Sequence, residues 1–126
     1  MKITTRTESL TGDPMEAANF TGPATGHPVH SSPQPVPVRV GVVHFHAGTR
    51  NNWHCHSGGQ VLHVVHGEGY VQSRGEPARL IRTGDTVAAE PDEVHWHGAG
   101  PDGPMAHLAI SMGDITWLES SADEPL

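Results

Sequence analysis

Apolar and polar residues alternate along many short stretches of this chain, the pattern of β-strands with one buried face. The first long stretch has one face formed by Arg39, Gly41, Val43 and Phe45 and the other by Val38, Val40, Val42, His44 and His46. Further strands are predicted over residues 60–65, 70–74, 78–82, 86–89, 94–98, 105–112 and 115–119, each next to turn residues. No stretch has the apolar spacing of an amphipathic helix. The pattern predicts an all-β, antiparallel sandwich or barrel, and a jelly roll is the commonest closed form.

The two ends of the chain lack this alternation. Residues 1–35 are predicted to form an N-terminal arm, with short strands at 2–5 and 19–22, followed by a Pro- and Gly-rich surface loop over 22–37. Residues 36–119 would form the barrel, and residues 120–126, which are mostly polar, a flexible C-terminal tail. The chain is therefore expected to be a single domain.

Charge and cysteine content restrict the function further. The 126 residues have a net charge of −7, and Lys2 is the only lysine, so a nucleic-acid partner is not expected. No apolar run approaches the roughly 20 residues that span a bilayer, and the N-terminus lacks the apolar segment of a signal peptide. Cys55 is the single cysteine, which excludes an internal disulfide and favours a reducing compartment. A cytoplasmic protein without a membrane partner is expected.

Histidine is the unusual residue, with eleven in the chain. His54 and His56 are two residues apart, so on a strand both imidazoles point to the same side. Gln60 follows, and His95 and His97 form a second pair of the same spacing. The alternative, that these histidines are surface or structural residues, would be favoured by one such pair but not by two. His54, His56, Gln60 and a later histidine predict a metal site with three nitrogen ligands and one oxygen ligand.

Two sequence motifs resemble those of the cupin superfamily. The first is Gly48-x5-His54-x-His56-x3-Gln60-x6-Gly67, with Gln60 where most cupins have glutamate. The second comprises Gly84-Asp85, Pro91 and His95, with Glu93 in place of the usual glycine. From about residue 20 to 119 the chain is similar to small single-domain cupins typified by manganese-dependent hydroxynitrile lyases. The shared segments are His95-Trp96-His97-Gly98-Ala99 and His107-Leu108-Ala109-Ile110.

This resemblance implies a jelly-roll barrel with one divalent metal ion per subunit. Mn²⁺ or Fe²⁺ is expected first, with Zn²⁺, Ni²⁺ or Co²⁺ as alternatives. The implied ligands are His54, His56, Gln60 and His95. His97 and His107 would face the same cavity without binding metal. One of them would act as the base, with a pKa near 6.5 if unperturbed, or both would be hydrogen-bonded core histidines. The implied pocket residues are Gly41, Val43, Phe45, Leu62 and Ser111.

The resemblance implies a lyase that acts on a small α-hydroxynitrile. The alternatives are a dioxygenase that uses the same metal ligands and a non-catalytic, metal-dependent binder of a small molecule. A homodimer or homotetramer is expected, with His44, His46 and His63 on the sheet surface that faces away from the metal. Two further expectations concern packing: Arg50 would be an exposed turn residue, and the three tryptophans Trp53, Trp96 and Trp117 would be core residues rather than substrate contacts.

Overall fold

The computed structural model describes residues 1–2, 4–5, 7–8, 12–33 and 35–126, and within them nearly all regular structure is β. The strands are β1 (Asp13–Pro14), β2 (Ala24–Ser32), β3 (Val38–Phe45), β4 (His54–His56), β5 (Gln60–His66), β6 (Glu68–Ser73), β7 (Arg79–Arg82), β8 (Thr86–Ala89), β9 (His95–Ala99), β10 (Met105–Met112) and β11 (Ile115–Trp117). A single turn of 3-10 helix spans Ala17–Asn19. No helix among the described residues is long and apolar enough to span a bilayer.

The strands form two antiparallel sheets. One has the order β1-β2-β3-β10-β5-β8, and the other has the order β11-β4-β9-β6-β7. Both sheets contribute to one apolar core, since Phe45, Val64 and Met105 of the first contact Ile81 and Ala99 of the second. This arrangement of two packed sheets confirms the predicted jelly-roll class.

Strand parity determines which side chains reach the space between the sheets. On β5, Leu62 and Val64 are buried, whereas His63 between them is exposed. On β3, Phe45 is buried and its neighbour His44 is exposed. The alternation visible in the sequence therefore gives the correct inner face of both strands.

The predicted surface loop over residues 22–37 is wrong in its central part. Ala24–Ser32 form β2, which pairs with β3 from Ala24 opposite Phe45 to Ser32 opposite Val38. Its register shifts between Pro28 and His30. Proline has no N–H for the ladder, so a strand tolerates it best at such a shift. The Pro and Gly content hid the strand because these residues usually mark turns.

The structure treats the two short strands predicted near the N-terminus differently: one is only partly described, and the other does not form. The predicted strand over residues 2–5 includes Ile3, which lies outside the described residues. The strand predicted over 19–22 is wrong: Asn19 ends the 3-10 turn, and Phe20 makes only an isolated bridge to Asn51. A two-residue strand, β1, forms earlier, at Asp13–Pro14.

The C-terminal segment is docked on the barrel, contrary to the prediction of a flexible tail. Ser121 is fully buried, and its hydroxyl donates a hydrogen bond to the carbonyl of Asn51 (2.6 Å). Arg50 donates from Nη1 to the carbonyls of Ser121 and Glu124, both at 2.8 Å. Its guanidinium also lies 4.4 Å from the centre of the Trp96 ring. Arg50 therefore holds this segment in place and is not the exposed turn residue expected. Its planar guanidinium stacks on Trp96 and at the same time donates hydrogen bonds to the two carbonyls.

Candidate metal centre and active-site cavity

Five buried imidazoles meet between the two sheets. His54 and His56 lie on β4 and His95 and His97 on the neighbouring β9, where His54 pairs with His95. His107 reaches the same region from β10 of the opposite sheet. None of the five exceeds 3% exposure. The antiparallel pairing of two His-x-His segments explains the cluster, because it places two same-face pairs side by side.

Backbone carbonyls fix the orientation of two of these rings. Nδ1 of His54 is 2.8 Å from the carbonyl oxygen of Asn52, and Nδ1 of His95 is 2.9 Å from that of Glu93. A carbonyl only accepts, so each Nδ1 must donate. Both rings therefore present an unprotonated Nε2, as metal-binding histidines commonly do.

The donor atoms in this cluster suit a metal ion. Nitrogens of His54, His95 and His97 lie within 4.8 Å of one another, so these three buried histidines could hold an ion. His56 has no hydrogen-bond partner at either ring nitrogen among the described residues. Gln60 places Oε1 3.0 Å from Nε2 of His95. The structure thus brings together all four predicted ligands and adds His97 as a further candidate.

Burial keeps the cluster neutral. Desolvation, with the repulsion that a protonated His95 would add, lowers the pKa of His54 to about 3 and that of His56 to about 4. Burial also lowers the pKa of His95. Neutral imidazoles have the lone pairs that metal binding requires, so the site is in its binding form at neutral pH.

His97 and His107 form a hydrogen-bonded pair next to these residues. Nε2 of His107 is 3.0 Å from Nδ1 of His97. Burial, reinforced by the neighbouring His107, lowers the pKa of His97 well below its ordinary value, and burial lowers that of His107 to about 4. The expected pKa near 6.5 is therefore wrong for this candidate base.

Asn51 holds His97 in place. Its Oδ1 accepts a hydrogen bond from the backbone N–H of His97 (2.9 Å), and its side-chain amide lies 3.3–3.4 Å from the ring nitrogens. Asn51 also accepts the Ser121 hydrogen bond, so the docked C-terminal segment supports the imidazole pair. No local pattern marks Asn51 in the sequence, because its role depends on contacts with residues far along the chain.

A cavity of about 150 Å³ opens beside the histidines. Of the five predicted pocket residues, Val43, Phe45 and Ser111 line it. Gly41 instead lines an adjoining groove of about 370 Å³. Leu62 lies in a different pocket, with Val71 and Val87, because it sits two residues beyond Gln60 along β5.

Several residues that line the cavity were not predicted from the sequence. Trp117, expected to be a packing residue, lines the cavity with its ring 4.8 Å from that of His54. Met15 and Phe20 enter from the N-terminal segment. Arg39 also lines the cavity, and strand parity with Gly41 and Val43 was the signal that could have found it. Trp53 and Trp96 are buried packing residues, as predicted.

Three further histidines and the cysteine lie outside this site. His44, His46 and His63 are exposed, which agrees with their predicted outward orientation, and His63 is 2.8 Å from the Thr86 hydroxyl. Cys55, between the two β4 histidines, is a half-buried free thiol. The alternation along each strand thus separates the outward histidines from the inward ones.

Comparison with known proteins agrees with this arrangement. The family described as "Cupin domain" matches residues 41–111, more than half of the chain. The protein belongs to the cupin family. It is 39% identical over 109 residues to a protein named (R)-mandelonitrile lyase from Granulicella tundricola. The aligned region covers 83% of each of the two chains. This relationship to a named lyase supports an enzymatic role.

Solved cupin structures have the same fold. A cupin-like protein from Thermotoga maritima superposes with a TM-score of 0.84 at 38% identity, over 89% of this chain and 88% of that one. A polyketide cyclase from Streptomyces resistomycificus superposes with a TM-score of 0.76 at 14% identity, covering 96% and 85% of the two chains. At that identity the second match concerns the fold alone.

Proposed function

We propose that this cupin is a metal-dependent lyase that splits a small α-hydroxynitrile into a carbonyl compound and cyanide. The observation that supports this best is the buried, neutral His97–His107 pair, which lines the same cavity as three of the candidate metal ligands, His54, His56 and Gln60. The 39% identity to a protein named as a mandelonitrile lyase agrees with the proposal.

We propose His54, His56, Gln60 and His95 as the metal ligands. The Gln60 amide donates from Nε2 to the Ser111 hydroxyl (2.9 Å), which turns Oε1 toward Nε2 of His95. Two hydrogen-bond acceptors, Oε1 of Gln60 and Nε2 of His95, then face each other at 3.0 Å with no proton between them. Their lone pairs repel each other, and a cation bound between them would remove this repulsion. The unpartnered nitrogens of His56 support the same assignment.

All four proposed ligands are neutral, so the ion would keep its full charge. Mixed imidazole and amide-oxygen ligands suit Mn²⁺ or Fe²⁺, with Zn²⁺, Ni²⁺ or Co²⁺ as alternatives. When bound, such an ion supplies a Lewis acid for the oxygen or the nitrile of the substrate. In this proposal His97 supports the base rather than the metal, since both of its ring nitrogens have other neighbours: Nδ1 lies 3.0 Å from His107 and Nε2 lies 3.3 Å from the side-chain amide of Asn51.

The proton of the substrate hydroxyl is taken by the histidine pair. The two rings share one hydrogen bond, and Nδ1 of His107 has no partner in another described residue. As the hydroxyl loses its proton, its oxygen forms the carbonyl, the carbon–carbon bond breaks, and the electron pair leaves with cyanide. Protonated histidine then returns the proton to cyanide. Because burial keeps both rings neutral, the base is available well below neutral pH.

The cavity wall suits an organic substrate. Phe20, Phe45 and Trp117 provide aromatic surface, and Val43 and Ile115 add aliphatic surface. Apolar walls with a few convergent polar groups are the usual composition of a small-molecule site. They would bind the carbon skeleton and limit the access of water to the histidine pair.

His107→Ala is expected to retain its metal and to lose at least about a hundredfold in cyanide release, because positioned bases contribute about 10²–10⁴-fold. Metal content is measured by elemental analysis, and cyanide release from mandelonitrile is measured without oxygen. His63→Ala, on the exposed face, is the matched control and should behave like the parent. A His107→Ala variant with full metal and near-parent turnover would contradict the assignment of the base.

The same assays separate the alternative functions. Turnover that consumes oxygen and releases no cyanide would identify a dioxygenase. Metal and ligand binding without either reaction would identify a binding protein. Cyanide release that is independent of oxygen supports the lyase.

We also propose that the cupin is a cytoplasmic homodimer or homotetramer. The outer face of the sheet formed by β2, β3, β10 and β5 has half-buried apolar side chains, among them Val42 and Leu108, next to the exposed His44 and His63. Such a face suits contact between subunits. Light scattering on the purified protein measures the mass in solution, and a monomer would refute the expectation.

A further inference from the structure

A row of polar side chains crosses the inner face of the larger sheet. Ser31 on β2 pairs with Arg39 on β3, Arg39 pairs with Ser111 on β10, and Ser111 pairs with Gln60 on β5. The row therefore begins at a proposed metal ligand and reaches a guanidinium two strands away. Arg39 and Ser111 both line the cavity and the adjoining groove.

The Arg39 guanidinium has no hydrogen bond or ion pair with any other residue that the structure describes. Three other arginines are engaged: Arg50 donates to two carbonyls, Arg74 pairs with Glu119, and Arg82 pairs with Glu68. Arg79, like Arg39, has no such partner among the described residues, but it does not line this cavity. Arg39 is close enough to His56 for its charge to contribute to the lowered pKa of that imidazole, after burial and His95. An exposed, unpaired cation thus lines the cavity beside the proposed metal ligands.

No carboxylate balances this cation locally. The protein has a net charge of −7, yet neither the cavity nor the groove is lined by an aspartate or glutamate among the described residues. The proposed ligands are neutral as well. A site of this kind attracts an anion, and a planar guanidinium binds a carboxylate through two parallel hydrogen bonds.

Two neighbours of Arg39 suit the same ligand. Ser111 accepts a hydrogen bond from Gln60, so its own O–H is free to donate to an anion. Gly41, the next inward residue after Arg39 on β3, has no side chain to fill the groove, and a Cβ there would lie 3.3 Å from the carbonyl oxygen of His27. The groove therefore stays open between Arg39 and Val43.

We propose that the natural substrate has a carboxylate group remote from the reacting carbon, and that Arg39 and Ser111 bind this group. The inference rests on the proposed function for the reaction at the other end of the substrate. It names the substrate class as small carboxylated hydroxynitriles and the carbonyl acids that they release.

The test compares two ligands of the same shape and different charge, 4-formylbenzoate and 4-formylbenzamide. Their dissociation constants are measured by calorimetry on the metal-loaded protein at low salt. The parent is expected to bind the carboxylate with a dissociation constant at least about tenfold lower than that of the amide, which corresponds to the low end of what a hydrogen bond to a charged group contributes. Arg39→Gln should abolish the preference and keep its metal, and Arg39→Lys should retain part of it. Arg82→Gln removes the same charge on the outer surface and should bind like the parent.

Equal binding of the two ligands by the parent would overturn the proposal. A preference that survives unchanged in Arg39→Gln would also overturn it, because the carboxylate would then be bound by the metal. Cyanide release from the corresponding hydroxynitriles is measured separately. Its absence, with an Arg39-dependent preference intact, refutes only the lyase proposal, whereas cyanide release without that preference refutes only the carboxylate proposal.

Discussion

Mild acid is expected to destabilise the metal-free protein through its buried histidines. His107 is fully buried, and its pKa is lowered to about 4 by burial. In the unfolded chain the pKa returns to about 6.5. At pH values between about 4 and 6.5, His107 is protonated in the unfolded chain but neutral in the folded protein. The stability contributed by neutral His107 is therefore complete above about pH 6.5 and is lost as the pH falls toward 4.

The size of the effect follows from the two pKa values. Each pH unit between them is worth about 1.4 kcal/mol, so on moving from pH 8 to pH 5 His107 alone removes about 2 kcal/mol. Total stabilities are about 5–15 kcal/mol, so this loss is easily measured. His54 and His56, with pKa values lowered to about 3 and about 4, act in the same direction.

His107→Gln isolates the contribution, because glutamine keeps an amide nitrogen for His97 and does not titrate. The free energy of unfolding is measured in urea at pH 8 and pH 5, after removal of metal by a chelator. The variant should lose about 2 kcal/mol less than the parent between the two pH values. His63→Gln, on the exposed surface, is the control and should lose as much as the parent. Identical losses for the parent and His107→Gln would refute the reasoning.

The other predictions concern the metal ligands. His54→Ala or His56→Ala should weaken metal binding by at least about tenfold while the fold survives, whereas His63→Ala should keep full occupancy by elemental analysis. Full occupancy in both ligand variants would exclude the proposed set. Gln60→Glu adds a negative charge, so it should bind metal at least as tightly but turn over more slowly, since the ion becomes a weaker Lewis acid. A Gln60→Glu variant as fast as the parent, with the same metal, would disprove this charge argument.

Local spacing was enough to predict much of the barrel and the grouping of the histidines on one side of their strands. In a strand, the separation of two residues decides which side each faces, so His54 with His56, and His95 with His97, could be assigned to one side before any fold was known. The same parity placed His63 and His44 outside. These predictions concern residues of a single strand, where the geometry depends on the backbone alone.

The N-terminal segment and the tail could not be predicted in this way. Ala24–Ser32 contain Pro and Gly, and they are a strand because β3 offers them a partner along its whole length. The C-terminal residues look solvated in the sequence, but Arg50 and Asn51, about 70 positions earlier in the chain, supply their hydrogen-bond partners. Such contacts leave no local pattern.

The sequence by itself thus determined the fold class, the inward faces of the strands and the candidate ligands, because each follows from alternation or from a motif. Only the tertiary structure decided the environment of these side chains. It placed His97 within hydrogen-bonding distance of His107 and buried both rings, which lowers their pKa values. It also placed Arg39 in the cavity wall without a counter-charge among the described residues. Desolvation and ion pairing depend on what surrounds a side chain in space, and that environment is assembled only when distant segments of the chain meet.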